Sequence, residues 1–122
     1  MHAAAAQDEV REIHRRLRRM LTAHASERMR TRRLSSVAVA AAIAYGRLVH
    51  TRGADIYAIG QKEALELARD GIDLFRFRGV QVVCSPDGRI LTVYREHNFR
   101  TLRPGNRRRR TGRRCRRLAQ AV

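Results

Sequence analysis

This chain has no tryptophan, and Lys62 is the single lysine among 27 Lys and Arg residues. Only 11 residues are acidic, and aromatics make up 5%. There are two cysteines, Cys84 and Cys115, one in an apolar stretch and the other among arginines. That placement argues against a disulfide and for reduced, cytoplasmic cysteines. No apolar run approaches the ~20 residues a membrane span needs, and the Val37 to Ala44 run is far too short. The start, MHAAAAQDEV, has no basic region leading into an apolar one, so no secretory signal is expected. No metal-ligand cluster, phosphate loop or nucleophile motif is present, and no cofactor is implied.

What is present is positive charge. The formal net charge is +16 over 122 residues. Nine arginines and no acid lie from Arg103 to Val122, among them Arg107, Arg108, Arg109, Arg110, Arg113 and Arg114. Removing them leaves 27 − 9 = 18 basic against 11 acidic residues in 1–102, a net of +7. Nearly exclusive use of arginine over lysine matches the codon bias of a high-GC genome, but that bias does not explain the excess of base over acid. Polyanions are the natural partners: RNA, DNA, or an acidic partner protein. The tail has no aromatic residue on which bases could stack, so it is expected to add affinity without specificity.

Periodicity divides the rest. Residues 1–7 are expected to be frayed, 8–102 to form one α+β domain, and 103–122 to be a disordered basic tail. Asp8 caps the expected first helix, whose apolar stripe is Val10, Ile13, Leu17, Met20 and Leu21. Its other faces carry Arg15, Arg18 and Arg19, which suit phosphate contact, partner docking or plain solvation. Thr22 caps a short second helix that sets His24, Arg28 and Arg32 on one stripe at spacing four. Ser35 caps a third helix, with Val39, Ala42 and Ile43 inward and Gly46 as its stop. Alternation from Arg47 to Thr51 and from Asp55 to Ile59 predicts a strand pair. Gln61 to Asp70 predicts a helix ended by Gly71. Ile72 to Arg78 predicts a loop or short strand.

Gly79 to Arg95 carries the clearest local signal. Val80, Val82 and Cys84 alternate on one strand and Ile90, Thr92 and Tyr94 on the next. Ser85-Pro86-Asp87-Gly88 between them suits a type I turn with a glycine bulge. The whole predicts N-terminal helices packed on a curved antiparallel sheet of about four strands, with one inserted helix.

The segment HASERMRTRRLSSVAVAAAIAYGRLV, followed by a strand pair and ILTVYR, resembles the DUF4258 family of small bacterial domains over about residues 22 to 99. The likeness lies in His-Ala, Glu-Arg-Met, an arginine four positions on, a capped helix ending in glycine, and a last strand of the form Ile-apolar-Thr-Val-Tyr. It implies the α+β ribonuclease-toxin fold of the barnase, EndoU, colicin and RelE type, whose sheet face holds RNA. Two departures stand out. Arg33 takes a place where the family tends to carry a small residue, at a position that often needs a left-handed backbone. The Gln61 to Asp70 helix is an insertion that could cover the sheet face.

The resemblance points to binding of RNA above DNA, to metal-independent endoribonuclease activity, and to an acidic antitoxin-like protein as the other partner. In that chemistry His24 is the base or acid, Arg28 and Arg32 clamp the phosphate, and Tyr94 stacks or positions. Thr92 offers a hydroxyl, and Arg95 is an outer contact. Each has a plainer meaning: His24 as a cap, Arg28 and Arg32 as structural ion pairs, Tyr94 as a core tyrosine. A non-catalytic nucleic-acid-binding accessory protein, or a module that docks an acidic partner, therefore stays open beside the ribonuclease.

Overall fold

The computed structural model describes residues 2–99 and 102, with side chains from residue 8 onward. The expected tail, Arg107 to Arg114 included, lies outside the described residues. Helices α1 (His2–Met20), α2 (Ala23–Thr31) and α3 (Ser36–Tyr45) precede strands β1 (Arg47–Thr51) and β2 (Ala54–Ala58). Then come α4 (Gln61–Ala68), a 3-10 turn (Phe75–Phe77), β3 (Val80–Cys84) and β4 (Ile90–Arg95). The strands form one antiparallel sheet in the order β1-β2-β3-β4.

The core is built around α3. Its residues Ala38 to Ala44 are all buried, so it is apolar on every side. Small side chains let it sit between α1 and the sheet, where Val39 and Ile43 share a cluster with Ile13, Leu17, Tyr57, Val82 and Val93. Each large aliphatic residue buried there contributes about 1.5–3 kcal/mol. The caps are those the sequence predicts: Thr22 Oγ1 accepts from Ala25 N and Ser35 Oγ from Ala38 N, each at 3.1 Å. α1 departs from expectation. It begins at His2, so Asp8 is an exposed residue inside the helix, within 3.8 Å of Arg11, and no cap.

Helix α2 ends in a Schellman motif. Leu34 N donates to Met29 O at 2.9 Å and Arg33 N to Arg30 O at 3.4 Å, with Arg33 at φ 54°. An arginine thus holds the left-handed position that glycine occupies most cheaply. The β1–β2 connection is a two-residue turn, Arg52 and Gly53, both at positive φ, which fits the twist of a tight hairpin. That makes β2 start at Ala54, one residue before the expected Asp55. Ile72 to Arg78 forms no strand; it holds the 3-10 turn, anchored by buried Leu74 and Phe77.

The β3–β4 turn closes as the sequence predicts. Gly88 (φ 95°) donates to Ser85 O at 3.0 Å, and Ser85 N to Arg89 O at 2.9 Å. The faces of β4 do not follow the alternation. Cys84 pairs with Ile90 but Val83 with Thr92, so Leu91 is an extra residue, a bulge. Ile90 and Val93 enter the helix-covered core, while Thr92 and Tyr94 turn to the other face. The expected common face for Ile90, Thr92 and Tyr94 is therefore wrong. A bulge is decided by pairing, which the pattern of one strand does not show.

The second sheet face has its own small cluster. Val49, Ile56 and Ala58 are buried with Leu102, and Val83 and Phe99 pack against them. No described helix is long and apolar enough to cross a membrane.

Candidate nucleic-acid interface

Helix α2 lies along the outer edge of β4 and covers carbonyls that an edge strand would otherwise leave open. Thr22 N and Oγ1 both donate to Ile90 O, at 3.1 and 2.9 Å. One helix length further on, Arg32 Nη1 donates to Val93 O at 2.7 Å. The stripe His24, Arg28, Arg32 therefore runs beside this strand. His24 is exposed, and its Nε2 accepts from Arg28 Nε at 3.3 Å. In this arrangement Nε2 carries a lone pair and Nδ1 the proton. Arg28 keeps its Nη groups for another acceptor, and no carboxylate pairs with Arg28 or Arg32 among the described residues.

Tyr94 is half-buried on the face turned away from α1 and α3. Burial pushes its hydroxyl above the usual tyrosine pKa; Glu96 adds to the rise and the nearby Arg32 opposes it. The phenol thus keeps its proton near neutrality. Thr92 is half-buried on the same face, paired with Val83. The structure joins His24 to Arg28 and sets Arg32 near Tyr94. Thr92 and Tyr94 lie on the sheet face that α1 and α3 do not cover, while His24 sits on the helix at the edge. They are not core residues beneath the helices.

Helix α4 makes its side-chain contacts away from this edge. Its Glu63 holds Arg47 of β1, at the opposite side of the sheet, and its Gln61 accepts from Arg78 at 2.9 Å. The arginines of α1 differ among themselves. Arg15 and Arg16 both bind Glu12, the latter at 3.0 Å, and these contacts, Arg16 first, hold its carboxyl below the usual range. Arg18 and Arg19 are exposed, and no carboxylate pairs with them among the described residues. His50 is half-buried, with Nδ1 2.7 Å from Oδ1 of the buried Asp55.

Arg95 pairs across the ladder with Val80, on the helix side of the sheet, and its Nη2 reaches Arg76 O at 3.5 Å. It borders a cavity of about 310 Å³ lined by Arg33, Ser35, Val37, Ala38, Arg76 and Phe77 as well. Arg76 and Arg78 are basic residues that helix and strand periodicity passes over. Each stacks on a phenylalanine: Arg76 over Phe77 at 4.6 Å and Arg78 over Phe75 at 5.6 Å. The alternation Phe-Arg-Phe-Arg is the sequence signal that marks them. Among the described residues no group of three or more His, Cys, Asp or Glu side chains could hold a metal ion.

No family model, curated protein or solved structure matches this chain.

Proposed function

We propose that the protein binds RNA along the edge where α2 meets β4, and that His24 makes it a metal-independent endoribonuclease of the toxin type. The observation that carries this is the exposed His24–Arg28 pair, an imidazole whose Nε2 accepts at 3.3 Å from a guanidinium that no carboxylate pairs with among the described residues. Net charge and the DUF4258 resemblance support the same reading, and a cytoplasmic protein acting on cellular RNA fits both.

The chemistry asks for little. As Arg28 turns from His24 Nε2 to the phosphate, that nitrogen takes the proton of a ribose 2′-hydroxyl while the hydroxyl oxygen bonds to phosphorus. Arg28, and Arg32 beyond it, offset charge on the phosphorane oxygens. The bond to the 5′-oxygen then breaks, and the imidazolium returns the proton to that leaving oxygen directly or through water. A 2′,3′-cyclic phosphate and a 5′-hydroxyl result. Tyr94 and Thr92 face the next nucleotide from the sheet.

One observation favours binding without cleavage. Arg32 already holds Val93 O at 2.7 Å, so part of the clamp is engaged in the fold. The accessory nucleic-acid-binding protein is the second reading, and docking of an acidic protein on the same basic stripe is the third. The test is incubation of purified protein with total RNA in chelator. Wild type is expected to cleave, and His24→Ala to lose about 100-fold or more in rate. No cleavage by wild type, or equal cleavage by wild type, His24→Ala and Arg28→Ala, removes the catalytic reading.

A further inference from the structure

We infer that the cavity between Arg33, Arg76 and Arg95 is a binding site for a phosphate monoester. Three separate elements bring these arginines to the wall of one cavity: the left-handed cap of α2, the 3-10 turn, and the last residue of β4. No acid lines the cavity, and no carboxylate pairs with any of the three among the described residues. Like charges gathered without a counter-ion repel one another, so an anion is the missing partner. Arg76 is held in place by its stack on Phe77, and Arg95 by its contact with Arg76 O. Ser35 caps α3 at the cavity wall by accepting from Ala38 N, and the amides of Ser36 and Val37 before it are first-turn groups with no intrahelical acceptor.

The charge selects the ligand. A monoester carries about −1.5 to −2 near pH 7 and three terminal oxygens, enough for three arginines. A backbone diester has a single charge and two such oxygens. The apolar part of the lining, Val37, Ala38 and Phe77, suits the carbon end of the molecule. Two sources share this chemistry: the terminal phosphate of an RNA strand and a free phosphorylated small molecule. The site does not depend on the RNA reading. Arg33 also acquires a reason to stand at φ 54°, where glycine would be less strained.

The experiment uses the full chain and short RNA, 2′-O-methylated so that it is not cleaved. One strand has hydroxyl ends, one a 5′-phosphate and one a 3′-phosphate, each followed by fluorescence anisotropy. Phenyl phosphate is titrated in parallel by calorimetry. A phosphorylated end is expected to bind about tenfold more tightly than hydroxyl ends. Arg33→Gly and Arg95→Gln are expected to remove that difference, while Arg28→Ala keeps it. Arg33→Gly also relieves the positive φ, so its melting temperature should not fall, which separates lost binding from lost folding. Phenyl phosphate binding that needs Arg33, with no preference among RNA ends, leaves the site standing for a free small molecule. Binding of phenyl phosphate with no RNA bound at all does the same and removes the RNA reading. Wild type that distinguishes neither probe, or variants that bind as wild type does, overturns the site.

Discussion

Arg32 Nη1 donates to the carbonyl of Val93 at 2.7 Å and so ties the last turn of α2 to the outer edge of β4. A charged donor on a carbonyl that the sheet leaves unpaired gives Arg32 a structural duty that Arg28 does not share. Arg32→Ala is expected to cost about 1–2 kcal/mol in urea unfolding. Arg28→Ala should stay within about 0.5 kcal/mol while weakening RNA binding. Equal stability losses for the two would mean that the Arg32 contact does not anchor the edge.

Tyr45 has its hydroxyl buried with no hydrogen-bond partner among the described residues. Burial, with Glu9 adding, pushes its pKa up to about 12. Below pH 10 the phenol is neutral both folded and unfolded, and it contributes no slope. Between pH 10 and 12 only the unfolded chain gives up this proton, so stability falls as pH rises through that window. Tyr45→Phe is expected to be neutral or stabilising near pH 7, because it removes an unsatisfied polar atom. It should also flatten the alkaline loss of stability. Thermal melts of both proteins from pH 7 to pH 11 check this, and an unchanged alkaline slope would count against it.

Glu63 holds three groups at once. Its Oε1 accepts from Gly60 N at 2.8 Å, and its two oxygens receive Arg47 Nε and Nη2 at 3.1 and 3.3 Å. Its side chain is 9% exposed, and Arg47 lies 5.4 Å from the Phe99 ring. One carboxylate therefore starts α4, fixes the entry to β1 and orients the cation under Phe99. Glu63→Ala is expected to cost about 2–3 kcal/mol. Glu63→Gln keeps an acceptor for Gly60 and should cost roughly half as much. Urea midpoints of the two variants measure the difference.

Local chemistry carried most of what the sequence showed. The caps at Thr22 and Ser35 and the turn at Ser85 to Gly88 are each specified within a few residues, and periodicity gave α1 its buried face. The bulge at Leu91 was hidden, because Ile90, Thr92 and Tyr94 alternate cleanly and only the pairing with Cys84 and Val83 breaks the rhythm. The start of α1 was hidden as well, since the chain ahead of Asp8 offers no cap signal. Within the interface, spacing four brought His24 and Arg28 into view because one helix carries both. The phosphate cavity was out of reach: Arg33, Arg76 and Arg95 are far apart in sequence and meet only once the 3-10 turn is placed.

RNA affinity should depend on salt, and the slope can apportion the work between the folded edge and the tail. Each phosphate neutralised by an arginine releases counter-ions, so log K falls with log salt by about 0.9 per contact on duplex and about 0.7 on single strands. Nine arginines lie beyond residue 102, against three basic residues on the α2 stripe, one of them a histidine. Removal of residues 103–122 is expected to take away most of the slope and most of the affinity. Arg28→Ala in the full chain should lower the slope by about one contact and weaken all RNA sequences alike. If the edge of α2 and β4 is where RNA sits, the truncated chain still binds at low salt, and Arg28→Ala abolishes what remains. Anisotropy titrations across a salt series give both numbers, and a truncated chain indifferent to Arg28→Ala would move the RNA away from this edge.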